Sequence, residues 1–164
     1  MTEARVLQLN VSDGGVPKTS ISIANVVPLG IVGDKQRYRY HGGPQKALLL
    51  LASEVIDSLQ KEGWPVFWGA LGENITTLDL DHRTWRTGQR YQVGSVLLQL
   101  TEPRVPCSKL DPYGPGIQKR IFDKQVKALD ASSLHWGESG FYAAVLRPGS
   151  IEVNDTIKVI DQVV

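Results

Sequence analysis

Hydrophobic and polar positions alternate at period two near the start of the chain: Leu7, Leu9 and Val11 are separated by Gln8 and Asn10, which predicts a half-buried strand. Gly14-Gly15-Val16-Pro17 then turns the chain, and residues 21–27 read as a second strand. Residues 46–52 are almost continuously apolar, the pattern of a strand buried on both faces. The strongest strand signal is residues 91–101, with Val96, Leu98 and Leu100 on one face and Gln99 and Thr101 on the other. Pro103 and Pro106 must stop that ladder, because neither can donate a backbone hydrogen bond. Ile75-Thr76-Thr77 reads as a short strand, and residues 141–147 and 156–160 close the chain around a turn at Pro148-Gly149.

Two stretches change to helical spacing. Residues 54–62 follow Ser53, which can cap a helix; Val55, Ile56 and Leu59 share one face, and Gly63 can end it. In residues 117–129, Ile117, Ile121, Phe122, Val126 and Leu129 fall on one face, and Lys119, Arg120, Lys124 and Lys127 on a face expected to be solvated. Glycines and prolines are spread throughout and cut the chain into short pieces. A mainly β protein is therefore expected, a β-barrel with a few peripheral helices, forming a single domain over residues 1–164.

Composition narrows the chemistry. Eighteen basic against seventeen acidic residues leave a net charge of +1, so nothing pulls the whole molecule toward nucleic acid or an anionic membrane. Any anion recognition has to be local. No apolar run approaches a membrane span, and no cationic segment followed by an apolar stretch opens the chain, so a cytoplasmic protein is expected. One cysteine cannot form an internal disulfide or supply the thiolates of an iron–sulfur cluster. His41, His82 and His135 show no paired metal-ligand spacing, and neither a dinucleotide fingerprint nor a nucleophile elbow is present.

That single thiol, Cys107, lies in Pro103-Arg104-Val105-Pro106-Cys107-Ser108-Lys109, directly after the best strand. Prolines stiffen the loop, and Arg104 and Lys109 bracket the sulfur with positive charge, which favours a thiolate that can attack or ligate. A buried cysteine packing as a small hydrophobe is the alternative; the proline-framed basic loop favours chemistry. In His41-Gly42-Gly43-Pro44-Gln45-Lys46 two glycines let a backbone approach a ligand, and His41 and Lys46 add donors, although an ordinary turn has the same signature. Glu73 and Asn74, in Gly72-Glu73-Asn74, can hydrogen-bond an amide-like edge or simply form a turn, and Asp34 in Gly33-Asp34 is equally open.

Taken in order, these segments resemble the MOSC domain, named for the C-terminal part of molybdenum-cofactor sulfurase. The resemblance runs through Gly33-Asp34, His41-Gly42-Gly43 with Lys46-Ala47, Gly72-Glu73-Asn74, Pro103-Arg104-Val105-Pro106-Cys107, and Phe141-Tyr142-Ala143-Ala144-Val145-Leu146 with Gly149. The start, Val11-Ser12-Asp13-Gly14-Gly15-Val16-Pro17-Lys18, is similar to that of short, stand-alone bacterial members. Gly88-Gln89 and Asn154-Asp155 depart from the family's Gly-Asp, which bears on turn geometry. The resemblance implies a β-barrel and a molybdenum cofactor (molybdopterin) with Cys107 as metal ligand. Arg104, His41, Gly42, Gly43, Lys46, Glu73, Asn74 and Lys109 would then be cofactor-binding residues. The implied activity is reduction of small N-hydroxylated compounds, with electrons from a separate reductase, since no flavin or haem signature is present. A second function implied for such domains is a sulfur carrier, with a persulfide on Cys107 received from a PLP-dependent cysteine desulfurase. A third reading is a non-enzymatic small-ligand-binding barrel.

Overall fold

The longest ladder in the computed structural model, which describes residues 3–35 and 42–161, belongs to the strand predicted most strongly. That stretch is two strands, β7 (Arg90–Val93) and β8 (Val96–Pro103), not one. Gly94, at φ +57°, and Ser95 turn the chain back, so Tyr91 pairs with Leu98 and Val93 with Val96. Glycine admits the left-handed backbone that a two-residue hairpin loop needs. In chain order the others are β1 (Arg5–Val11), β2 (Thr19–Ile21), β3 (Ile23–Val27), β4 (Gly30–Ile31), β5 (Leu48–Ala52), β6 (Ile75–Leu78), β9 (Phe141–Arg147), β10 (Gly149–Glu152) and β11 (Ile157–Asp161).

Eight strands form one sheet in the order β11-β7-β8-β9-β5-β6-β1-β2, and β10-β3-β4 form a second. Within the larger sheet only β5 and β6 run parallel, Leu50 opposite Ile75. Every residue of β5 is buried, as its unbroken apolar run requires. The predicted strand at residues 21–27 is divided at Ser22, β2 pairing with β1 and β3 with β10 in the other sheet. The protein is mainly β with short helices, but strand pairing leaves β11 and β2 as the margins of the larger sheet. An isolated bridge sets Arg5, at the start of β1, against Thr156, the residue before β11. Backbone bonds from Val6 to Asp155 (2.9 Å) and from Ile157 to Ala4 (2.8 Å) reinforce it.

Helix α1 (Ser53–Lys61) buries Val55, Ile56 and Leu59, as its spacing predicts, and Gly63 at φ +96° follows its end. Ser53 does not cap it: Ala52 holds the cap position, and the Ser53 hydroxyl is buried without a partner. The helix expected over residues 117–129 is broken into α2 (Ile117–Ile121) and α3 (Lys124–Lys127). Phe122 is extended, and the Asp123 carboxylate accepts the Val126 amide at 2.9 Å, starting a new helix where the old one could have continued. Asn154, one of the positions marked above as a departure, adopts φ +76°, a left-handed geometry that asparagine tolerates.

Candidate functional site

Two of the sequence motifs meet around the Asp34 carboxylate. Its Oδ1 accepts the Ser12 amide at 3.0 Å and the Lys18 ammonium at 2.6 Å, and its Oδ2 accepts the Asn74 side-chain amide at 2.8 Å. Asn74 Oδ1 in turn accepts the Leu49 amide at 3.0 Å, and its backbone bridges Asn10 and Leu49. Gly33-Asp34 and Gly72-Glu73-Asn74 thus hold the turn after β1 to the start of β6. Asn74 lines the cleft described below, but both ends of its side-chain amide are engaged by protein.

Glu73 is directed away from solvent altogether. It is 0% exposed; Oε2 accepts the Gly69 amide at 2.9 Å and the Thr76 hydroxyl at 3.0 Å, and Oε1 has no partner. Burial pushes its carboxyl up from the ordinary 4.5, and the hydrogen bonds and the Arg104 charge only partly oppose this. It does not line the cleft, so its contribution is to the 69–76 turn rather than to direct ligand contact.

Arg104 is a buried cation of the site, at 6% exposed. Its Nε donates to the Ser139 carbonyl and its Nη2 to the Leu71 carbonyl, both at 2.8 Å, while the Ser139 hydroxyl donates to the Arg104 carbonyl at 2.6 Å. Nη1 has no hydrogen-bond partner among the described residues. Burial lowers the guanidinium's pKa, and the nearby Tyr142, Glu73 and Cys107 counter it. Pro103 and Pro106, both buried, carry the chain from β8 to Cys107, whose thiol is partly exposed. The Cys107 carbonyl accepts the Leu110 amide at 3.1 Å and opens the tight turn Ser108–Tyr113.

Arg104, Cys107 and Lys109 line one cleft together with Lys18, Lys46, Leu49, Asn74 and Tyr142. It opens to solvent, and Val16, Leu71, Val105 and Leu110 add apolar surface to the same lining. Sheet pairing sets its floor: Tyr142 lies opposite Leu49 in the β9–β5 register, and Asn74 grips Leu49 from the other side. The Lys46 ammonium stands 5.3 Å from the Tyr142 ring centroid and 3.7 Å from Glu102. Gly42 and Gly43 precede the turn Pro44–Lys46 but do not line the cleft; at Gly43, φ is +88° and a Cβ would meet nothing within 4 Å. Its glycine is needed for backbone conformation rather than for close approach. His41 lies outside the described residues.

Of the residues singled out by sequence, the cleft therefore gathers Cys107, Arg104, Lys109, Lys46 and Asn74. Sequence reasoning missed Lys18 and Tyr142 as site residues, although both stand inside segments it had marked. The signal was available in β9, where Tyr142 falls between the buried Phe141 and Ala143 and so faces the other way. Lys18 (paired to Asp34), Lys46 (3.7 Å from Glu102) and the buried Arg104 line the cleft beside a soft sulfur. That arrangement suits an anionic ligand that also offers something a thiolate can hold.

Comparison with known proteins agrees on one family. The family model described as the MOSC domain matches residues 37–158. A protein named Reductase from Gibberella moniliformis (strain M3125 / FGSC 7600) is 30% identical over 138 residues, 81% of this chain and 23% of that one. Protein YiiM of Escherichia coli (strain K12) is 27% identical over 144 residues, 82% of this chain and 58% of YiiM. The chain spans less than two thirds of either relative. The crystal structure of YiiM from Geobacillus stearothermophilus has a TM-score of 0.74 at 27% identity, covering 96% of this chain and 75% of that one. YuaD of Bacillus subtilis, at 19% identity, TM-score 0.70 and 96% coverage of both chains, shares the fold.

Proposed function

The chain belongs to the MOSC domain family, and on that footing we propose that it binds a molybdenum cofactor in the Cys107 cleft and reduces N-hydroxylated compounds. One observation carries this reading: a partly exposed thiol and a buried arginine whose Nη1 has no partner among the described residues line the same cleft. Molybdopterin brings a phosphate and a polar bicyclic ring together with its own sulfur ligands, so the protein need offer a single thiolate and local cations. Among the described residues no three His, Cys, Asp or Glu side chains gather into a metal site, which fits a metal whose remaining ligands come from the cofactor. Cys107 would hold the molybdenum, and Arg104, Lys46 and Lys109 would face the anionic parts; the bound group would supply the two-electron chemistry. The name of the fungal relative, Reductase, points the same way. Electrons would come from a separate reductase protein.

Partial exposure of Cys107 favours one other reading, a sulfur carrier that takes a persulfide from a PLP-dependent cysteine desulfurase. One experiment separates the two. Protein made in a host that synthesises the cofactor is assayed for molybdenum and for the fluorescent oxidised pterin, as wild type and as Cys107→Ala. Molybdenum present in the wild type and lost in Cys107→Ala supports the ligand role, and reduction of an amidoxime by the loaded protein with an artificial electron donor supports the activity. Metal-free protein carrying cyanide-labile sulfur on Cys107 overturns the reductase reading in favour of the carrier. If both are absent from cofactor-replete protein, a non-enzymatic ligand-binding module is left.

A further inference from the structure

Two half-buried tyrosines stand near the Cys107 turn, and their hydroxyls differ in what they bond. Tyr113 donates its hydroxyl proton to the Ala70 carbonyl at 2.8 Å, so it is part of the wall. Tyr142 lines the cleft, and its hydroxyl has no hydrogen-bond partner among the described residues. A half-buried phenol ordinarily pairs its O–H, because leaving that dipole unpaired away from water is costly. With no partner among the described residues, this O–H is available to a ligand in the cleft.

The surroundings fix what that occupant can be. Tyr142 sits on β9, paired with Leu49 of β5, so the sheet rather than a loop sets where its ring lies. Lys46 stands over the ring at 5.3 Å, braced by Glu102, and Arg104 and Cys107 are close enough to act on the phenol electrostatically. Burial pushes the Tyr142 hydroxyl up, with Arg104 opposing, so at neutral pH the group is an O–H that donates rather than a phenolate. Donors therefore come from several sides of the cleft, and among the described residues no carboxylate lines it.

We propose that Tyr142 is a ligand-binding residue of the cleft: its O–H, Arg104 Nη1 and the Lys46 ammonium form a three-donor site for an anionic oxygen beside the Cys107 thiol. The ligand class is a small oxyanion, or the oxyanion-bearing part of a larger ligand. This deepens the reading above and rests on it only for which molecule brings the oxygen; the donor set belongs to the protein without any metal.

The test uses cofactor-free protein and inorganic phosphate as the probe. Its dissociation constant is measured by calorimetry, together with the protection it gives Cys107 against alkylation by iodoacetamide. Wild type binds phosphate and is protected; Tyr142→Phe binds about tenfold more weakly, the loss of one hydrogen bond to a charged group, and keeps its melting temperature because no protein partner is lost. Tyr113→Phe lowers the melting temperature and leaves phosphate affinity unchanged. Wild type that binds no phosphate, Tyr142→Phe that binds it as well as wild type, or affinity lost only with a matching drop in melting temperature overturns the proposal. Molybdenum content of protein from the cofactor-making host is read separately. A failure of the cofactor reading with phosphate binding intact is thereby distinguished from the reverse.

Discussion

Lys18 and Asp34 form an ion pair of 2.6 Å in which each side chain is only 5% exposed. The pair links the turn after β1 to the segment after β4, and through Asp34 Oδ2 it extends to Asn74. Two desolvated charges tolerate each other only while both are present.

Asp34→Ala strips three donors of their acceptor at once and leaves the Lys18 ammonium buried and uncompensated. A loss of ~3–5 kcal/mol is expected. Lys18→Met, which leaves Asp34 its Ser12 and Asn74 donors, should cost less. Urea unfolding of the two variants checks the order; equal costs would mean that Asp34 serves Lys18 alone.

Arg104→Lys keeps the charge and loses the fork. A lysine cannot reach the Ser139 and Leu71 carbonyls together, so one buried carbonyl is left without its donor. The expected cost is ~1–3 kcal/mol, measured by denaturant unfolding, with faster amide exchange in the 69–74 turn that Leu71 belongs to. Unchanged exchange there would show that the guanidinium does not hold the turn.

Glu73 gives the fold a pH dependence of unusual sign. Its folded pKa is raised above the ordinary 4.5, so between those two values the folded protein binds more protons than the unfolded chain. Stability from this group is present below 4.5 and is lost as pH rises through the folded value. Glu62, Asp81, Asp123 and Asp130 are lowered and act in the opposite direction, so the effect is isolated by comparing wild type with Glu73→Gln. Relative to wild type, the variant should gain stability as pH rises above 4.5, as read by urea midpoints. A stability difference that does not change with pH would mean Glu73 is already ionised at the lower end.

Cys107→Ser should fold as the wild type does. The thiol is partly exposed and lies outside the apolar core, so a change under ~1 kcal/mol is expected from thermal unfolding. Any loss of ligand in that variant then reports on the sulfur itself.

How much of this was legible in the sequence depended on range. Strands β5 and β9 and helix α1 were readable because their apolar patterns are local and uninterrupted. The break of the 117–129 helix was not, because Asp123 can extend a helix or cap a new one, and the Ser133 hydroxyl that also binds its carboxylate, at 2.8 Å, is far along the chain. The same distinction holds at the site. Cys107, Arg104 and Lys109 share one loop and were found together. Lys18 was not assigned there, since its partner Asp34 is recognisable only once the turn after β1 has folded against β6. Glu73 and Asn74 were adjacent in sequence yet differ in role, a separation set by which way each side chain leaves the backbone.

The bridge between Arg5 and Thr156 has a consequence for the order in which the cleft is assembled. Strand β1 bonds to a segment far along the chain, and the cleft joins Gly15 and Lys18 of the turn after β1 to Tyr142 of β9. Contacts of such sequence separation form late and slowly in folding. Without β9 in place the cleft lacks the wall that carries Tyr142, so an occupant would need both distant segments folded against each other. A ligand held there would tie the turn after β1 to β9, two segments distant in sequence, and so act as a clasp across the fold.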